Sequence, residues 1–254
     1  MKLVSLVKQR LFVTLALCLT FRPELAFAES ANGEDLSSAK FEMIIHNYIL
    51  AHPEVLIESL KLAKQRQEDQ AAAKAKSFIA ANKTQLLDDP NSPVFGNAHG
   101  DVTIVEFFDY RCPYCRQADP VLKKLISEDP KVRLVQKQLP ILGPASVLAA
   151  RAALAANKQN KLAVLHDALM ARNPNFDEEG MLKVAESLGL DVARLKADMA
   201  SPEVNAEIMN SARLAKELGL TGTPAFIVGS VLIDGGTNFA TLKSMVSNAR
   251  EELH

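Results

Sequence analysis

The stretch VTIVEFFDYRCPYCR, Val102 to Arg116, decides the reading of this chain. Val102–Phe108 is a nearly unbroken apolar run, the pattern of a strand covered on both faces. A short turn follows, and Cys112-Pro113 reads as a helix start, because proline is tolerated in the first turn, where its N–H would have no partner. Cys112 then sits at a helix N-terminus and Cys115 one turn inside, on the same face. The unpaired N–H groups and partial positive charge of a helix N-terminus stabilise a thiolate, and only the thiolate attacks a disulfide. The spacing of three also lets the two sulfurs join. Cys112 is therefore the candidate nucleophile and Cys115 the thiol that resolves a mixed disulfide. Glu106 interrupts the apolar strand. A buried carboxyl there would relay protons to or from the resolving thiol; on an edge strand it would instead point at water.

Working outward, the N-terminus of the 254 residues resembles a secretory signal. Lys2, Lys8 and Arg10 form its basic region, residues 11–21 its apolar region, and Ala26-Phe27-Ala28 a small-x-small cleavage site. Cleavage after residue 28 leaves 226 residues with a net charge of −4, and removes Cys18. A mildly acidic chain argues against nucleic acid as a partner. An exported chain whose only cysteines are Cys112 and Cys115 reads as catalytic rather than stapled.

Residues 29–88 form an expected N-terminal helical segment. Phe41, Ile44, Ile45, Tyr48 and Ile49 recur at helical spacing, and His52-Pro53 breaks the run, with Pro53 opening the next helix. The composition from Lys61 to Lys76 suits an exposed helix. Two helices bury little alone, so the apolar stripe within about 36–85 either packs on the following domain or associates with equivalent stripes of one or two further copies. His46 and His52 read as surface residues rather than metal ligands.

The turn-rich run Asp88-Asp89-Pro90-Asn91-Ser92-Pro93 marks an expected boundary, with the main domain at 89–254. Val94–Asn97 is a short first strand. The helix from Pro113 runs to about Glu128, kinked or restarted at Pro120. Val132–Gln138 is a second core strand. About 143–218 is helical in pattern and reads as an insertion in an α/β domain, with His166 and Met170 as packing residues and Asp191 as a helix cap. Strands resume at Ala225–Gly229 and Val231–Asp234, and a last helix covers 237–252. Pro224 at the start of a strand implies an edge position or a cis bond. A cis bond would expose the Thr223 backbone to an extended peptide.

Strand, Cys112-Pro113-Tyr114-Cys115, helix, helical insertion, Thr223-Pro224, hairpin and final helix together resemble the DsbA-type branch of the thioredoxin superfamily, over about 94–254. The runs Leu139-Pro140-Ile141-Leu142-Gly143-Pro144 and His52-Pro53-Glu54-Val55-Leu56 resemble the ScsC and Com-type periplasmic members. The resemblance implies a thioredoxin fold with an inserted helical domain, preceded by a segment that assembles dimers or trimers. It implies Cys112 as nucleophile, Cys115 as resolving thiol, Pro224 as the cis-proline and Thr223 as the residue that tunes potential and release. Pro113 and Tyr114 line the substrate face. Glu106 and Lys137 would form a buried charge pair beside the site, unless Lys137 is a solvated strand-end lysine. The archetypal family member has His where Tyr114 stands and Val where Thr223 stands, so a less strongly oxidising protein is expected.

These features imply a thiol:disulfide oxidoreductase of a Gram-negative periplasm, an isomerase with oxidase capacity acting on unfolded or misoxidised exported proteins. It would need a membrane redox partner, and no cofactor beyond its own disulfide. A dedicated dithiol oxidase is one alternative. A Cu(I) carrier using the two thiolates is another.

Overall fold

The computed structural model describes residues 38–172 and 177–252, so the signal-like segment and Cys18 lie outside it. The elements run α1 (Ser38–Ala51), α2 (Pro53–Ala81), α3 (Lys83–Leu87), β1 (Val94–Gly96), β2 (Val102–Phe108), α4 (Pro113–Glu128) and β3 (Val132–Gln138). Then come α5 (Pro144–Asn157), α6 (Leu162–Ala171), α7 (Glu178–Ser187), α8 (Val192–Met199) and α9 (Pro202–Glu217), followed by β4 (Ala225–Val228), β5 (Val231–Asp234) and α10 (Phe239–Glu251).

The sheet has the order β1-β3-β2-β4-β5. β2 pairs parallel with β3 and antiparallel with β4, and the outer pairs are antiparallel. β2 is central, which explains its apolar run: helices cover both faces. Side chains alternate along a strand. Ile104, Leu134, Phe226 and Val228 face one way, against Leu122 and Leu125 of α4 and Leu242 and Val246 of α10. Val105, Phe107, Val135 and Ile227 face the other way, against Leu214 and Ala215 of α9 and Ile79 and Leu86 near the ends of α2 and α3.

Between β3 and β4 the helical insertion forms as the sequence pattern predicts. Its α5 buries Ala149, Ala152, Ala153, Ala155 and Ala156, small residues that let α6, α7 and α8 approach closely. Asp191 caps α8 by accepting from the Arg194 backbone N–H at 2.9 Å. α9 is the exception to the insertion: its inner face belongs to the sheet's second layer.

Two readings left open by the sequence are decided. α4 passes through Pro120 as one helix rather than restarting there. β4 is an inner strand, so Pro224 does not mark an edge; the Thr223–Pro224 bond is cis. The turn-rich run from Asp88 to Pro93 is anchored to the sheet, where Asp89 and Ser92 accept hydrogen bonds from the buried Lys137 of β3.

The chain divides into two units at Ile57–Glu58. In the first, no residue of α1 is buried, and Phe41, Ile44, Ile45, Tyr48, Leu56 and Ile57 are all exposed. In the second, α2 stays exposed until Ala75 and Ile79, which are buried.

Candidate active site

The turn after β2 brings the dithiol to the end of the sheet. Cys112 is the N-cap of α4, and its carbonyl accepts the first helical bond, from Arg116 N–H at 3.1 Å. The sulfurs of Cys112 and Cys115 are not joined in this structure. The Cys112 S–H donates to the carbonyl oxygen of Thr223 at 3.1 Å, which joins the CPYC turn to the cis-Pro224 loop 111 residues away. Pro113 and Tyr114 are exposed beside it, while Cys115 has no exposed surface.

Glu106 is buried beneath this pair. Gln136 Nε2 donates to its Oε2 at 2.9 Å. Burial pushes its carboxyl up to about 8, and the Asp119 charge adds to the rise against the Gln136 hydrogen bond. Burial likewise holds the Cys115 thiol far above its ordinary range, and the Glu106 charge adds to that. The acid and the resolving thiol therefore sense each other electrostatically in a buried site, where each favours its protonated form.

The structure brings together Cys112, Cys115, Thr223, Pro224 and Glu106, with Pro113 and Tyr114 on the exposed rim. It does not bring Lys137 there, and the expected Glu106–Lys137 pair is corrected. In the β2–β3 register Glu106 stands beside Gln136, and Phe107 beside Lys137. Neighbours along a strand point to opposite faces, so one residue of offset sends the lysine to the far side of the sheet. There Lys137 Nζ donates to Ser92 Oγ at 2.6 Å and to Asp89 Oδ2 at 3.2 Å, and lies 3.6 Å from Glu207 Oε1. The Ser92 hydroxyl in turn donates to Glu207 Oε1 at 2.6 Å. Burial raises the Glu207 carboxyl to about 7 despite Lys137 and Ser92.

Several residues that frame the site were not singled out by sequence reasoning. Asp109, buried, accepts from the backbone N–H groups of Arg111 at 2.8 Å and Leu142 at 3.0 Å, and so ties the active-site turn to the loop after β3. The Arg116 guanidinium donates to the carbonyls of Tyr110 and Leu169 at 3.3 and 3.0 Å, and also to those of Met170 and Arg172, which fastens α4 to the end of α6. His166 is more than packing: it is bonded to Tyr110 and Asp119. The available signal was a polar residue on the same face as Leu162, Leu165 and Leu169, together with an acid four residues after Cys115. Among the described residues no cluster of three or more His, Cys, Asp or Glu could hold a metal ion.

A central parallel pair flanked by helices, a CxxC at a helix N-terminus and a facing cis-proline define a thioredoxin-fold dithiol protein. The family model for the DSBA-like thioredoxin domain matches residues 103–247, and the chain belongs to this family of thiol:disulfide oxidoreductases. Residues 39–70 match the copper resistance protein ScsC N-terminal domain; that segment contains no cysteine. A thioredoxin-like oxidoreductase from Silicibacter pomeroyi DSS-3 is similar at 48% identity and a TM-score of 0.65, over 67% of this chain and 98% of that one. The thiol:disulfide interchange protein DsbA of Bordetella parapertussis is 28% identical, over 63% of this chain and 80% of that one. The Na(+)/H(+) antiporter NhaA 3 of Salinispora tropica is 30% identical over 70% of this chain but 28% of its own length. The chain thus spans about a quarter of the length of the first curated relatives it matches. Among the described residues no helix is long and apolar enough to cross a membrane.

Proposed function

We propose that this protein exchanges thiols and disulfides with exported protein substrates in the periplasm, as an isomerase that also oxidises dithiols. The observation that carries the reading is the Cys112 sulfur, at a helix N-terminus and 3.1 Å from the Thr223 carbonyl, with Cys115 sealed behind it over Glu106. In the reducing direction the Cys112 thiolate attacks a substrate disulfide and one substrate sulfur leaves with the electron pair. Cys115 then gives its proton to the ionised form of Glu106 and attacks Cys112 Sγ, which releases the second substrate thiol. In the oxidising direction a substrate thiolate attacks Cys112 Sγ of the enzyme disulfide. Cys115 leaves as a thiolate and takes a proton from Glu106; the substrate's second thiolate then attacks the substrate sulfur of the mixed disulfide, and Cys112 leaves as a thiolate. A membrane redox partner resets the pair. Thr223 and Pro224 supply the backbone against which an extended substrate lies, and Pro113 and Tyr114 the exposed rim.

The apolar residues exposed on α1 and at the start of α2 support assembly into a dimer or trimer, which would set two or more dithiols around one substrate. The signal-like residues 1–28 support export. The test is recovery of activity by scrambled ribonuclease A, with the chain from residue 29 compared with one beginning at Glu58. That start keeps Ile79, Leu86 and Asp89 in place. Recovery by the longer chain and simple dithiol oxidation by the shorter one is the expected result. Oxidation alone by both would make the protein a dedicated oxidase.

A further inference from the structure

A second polar chain runs from beneath the dithiol to the surface. Tyr110 Oη is 3.1 Å from His166 Nδ1, and His166 Nε2 is 3.0 Å from Asp119 Oδ1. Tyr110 and His166 are each 1% exposed. The other Asp119 oxygen accepts from Lys123 Nζ at 2.8 Å, and Lys123 also pairs with Asp167 at 2.6 Å near solvent. The contacts fix the roles. The Asp119 carboxylate can only accept, so Nε2 carries the imidazole proton. In the neutral ring Nδ1 is then the acceptor and the Tyr110 hydroxyl donates to it. Phe95 and Phe108 pack on the imidazole with ring centroids 5.0 and 5.9 Å away, and hold its plane. Three elements meet here: the β2–α4 turn, α4 and α6.

Asp119 lies four residues after Cys115, on the same face of α4. Its side chain is 13% exposed, so its charge is only partly screened. From the disulfide-exchange function proposed for the site, on which this inference rests, we infer that Asp119, oriented by His166 and Tyr110, is a positioning residue for the step in which a substrate thiolate opens the enzyme disulfide. Burial is the main reason that Glu106 holds its proton, and the fixed negative charge of Asp119, one turn along α4 from Cys115, adds to it, so that Glu106 has a proton to give Cys115 as the Cys112–Cys115 bond breaks. The bond electrons leave on Cys115 Sγ, the Glu106 proton follows, and the new bond joins Cys112 to the substrate sulfur.

The other groups around Glu106 do not supply this effect. Gln136 on β3 is uncharged and Phe226, its register neighbour on β4, is apolar. Burial keeps the Cys115 thiol and the Tyr110 phenol protonated, and Cys112 is tied into the neutral disulfide when the step begins. His166 and Asp167 on α6 stand behind Asp119 with Lys123, and Lys137 is on the far face.

The test is the titration of the Glu106 carboxyl in the reduced full chain by carbon NMR of labelled glutamate, with Glu106→Gln assigning the signal. Asp119→Asn is expected to lower the midpoint by roughly one pH unit. Lys123→Met, at a side chain 46% exposed, removes the opposing charge and is expected to raise it. Opposite shifts are not what loss of packing would give. An unchanged midpoint in folded Asp119→Asn overturns the inference, and so does an unchanged midpoint in Lys123→Met should the first variant not fold. Exchange with glutathione disulfide in the same samples separates the two ideas. Its absence from the wild type sinks the disulfide-exchange reading, whereas the titration reports on Asp119 regardless.

Discussion

Glu106→Gln should make the protein more stable at neutral pH, although it removes a group placed in the active site. The magnitude follows from burial. An ordinary glutamate titrates at 4.5, and burial moves this one to about 8. Between those values the folded chain holds a proton that the unfolded chain has released, so stability falls as pH rises. The slope is about 1.4 kcal/mol per pH unit. About 5 kcal/mol separates the limits, and about 3 kcal/mol of it is already lost at pH 7. The substituted glutamine would keep the shape, and its carbonyl would accept from Gln136, but it has no proton to lose. Urea unfolding of both reduced proteins at pH 5, 6, 7 and 8 measures the effect. The difference between the two curves cancels other titrating groups, Glu207 included. It should open in favour of the variant with rising pH and level off above pH 8. Parallel curves across this range would refute the argument, because they would mean that Glu106 ionises in the fold as it does in water.

The far side of the sheet offers a complementary case. Lys137→Met strands the Asp89 and Glu207 carboxylates, and should destabilise the chain by about 3–5 kcal/mol at pH 7. The loss should grow above pH 7, where Glu207 ionises beside Lys137 in the wild type but holds its proton to higher pH in the variant, and thermal unfolding at pH 6 and pH 8 checks this. The Glu106 titration should be the same in this variant as in the wild type. Cys115→Ala should leave a mixed disulfide with glutathione on Cys112 that persists, seen by mass spectrometry as one adduct on the chain from residue 29. Equal persistence on the wild-type chain would remove Cys115 from the resolving role.

Legibility in the sequence depended on the kind of signal each residue left. The pair of cysteines, their helix and the central strand were readable because sterics and burial act locally: proline opens a helix, and apolar runs need two covered faces. Glu106 stood out as a charge inside such a run. Lys137 misled, because the alternation of a buried strand is invisible when both faces are dry; only the register shows that Gln136, not Lys137, shares a face with Glu106. The Tyr110–His166–Asp119 chain was not legible, since its partners lie 47 and 56 residues apart and meet only when α6 folds over α4. The segment from Asp88 to Pro93 had the composition of a linker. Its backbone does turn, yet Asp89 and Ser92 are anchored by residues far along the chain.

The unequal exposure of the two sulfurs sets the kinetic order of capture and release. Cys115, with no accessible surface, cannot meet a molecule from solution while the fold is intact. Any covalent partner must load through Cys112, in a step that depends on both concentrations. It is cleared by a thiol already on the same helix, in a step that depends on neither. Dilution slows capture and leaves release untouched, so the lifetime of each captured partner is a fixed property of the chain.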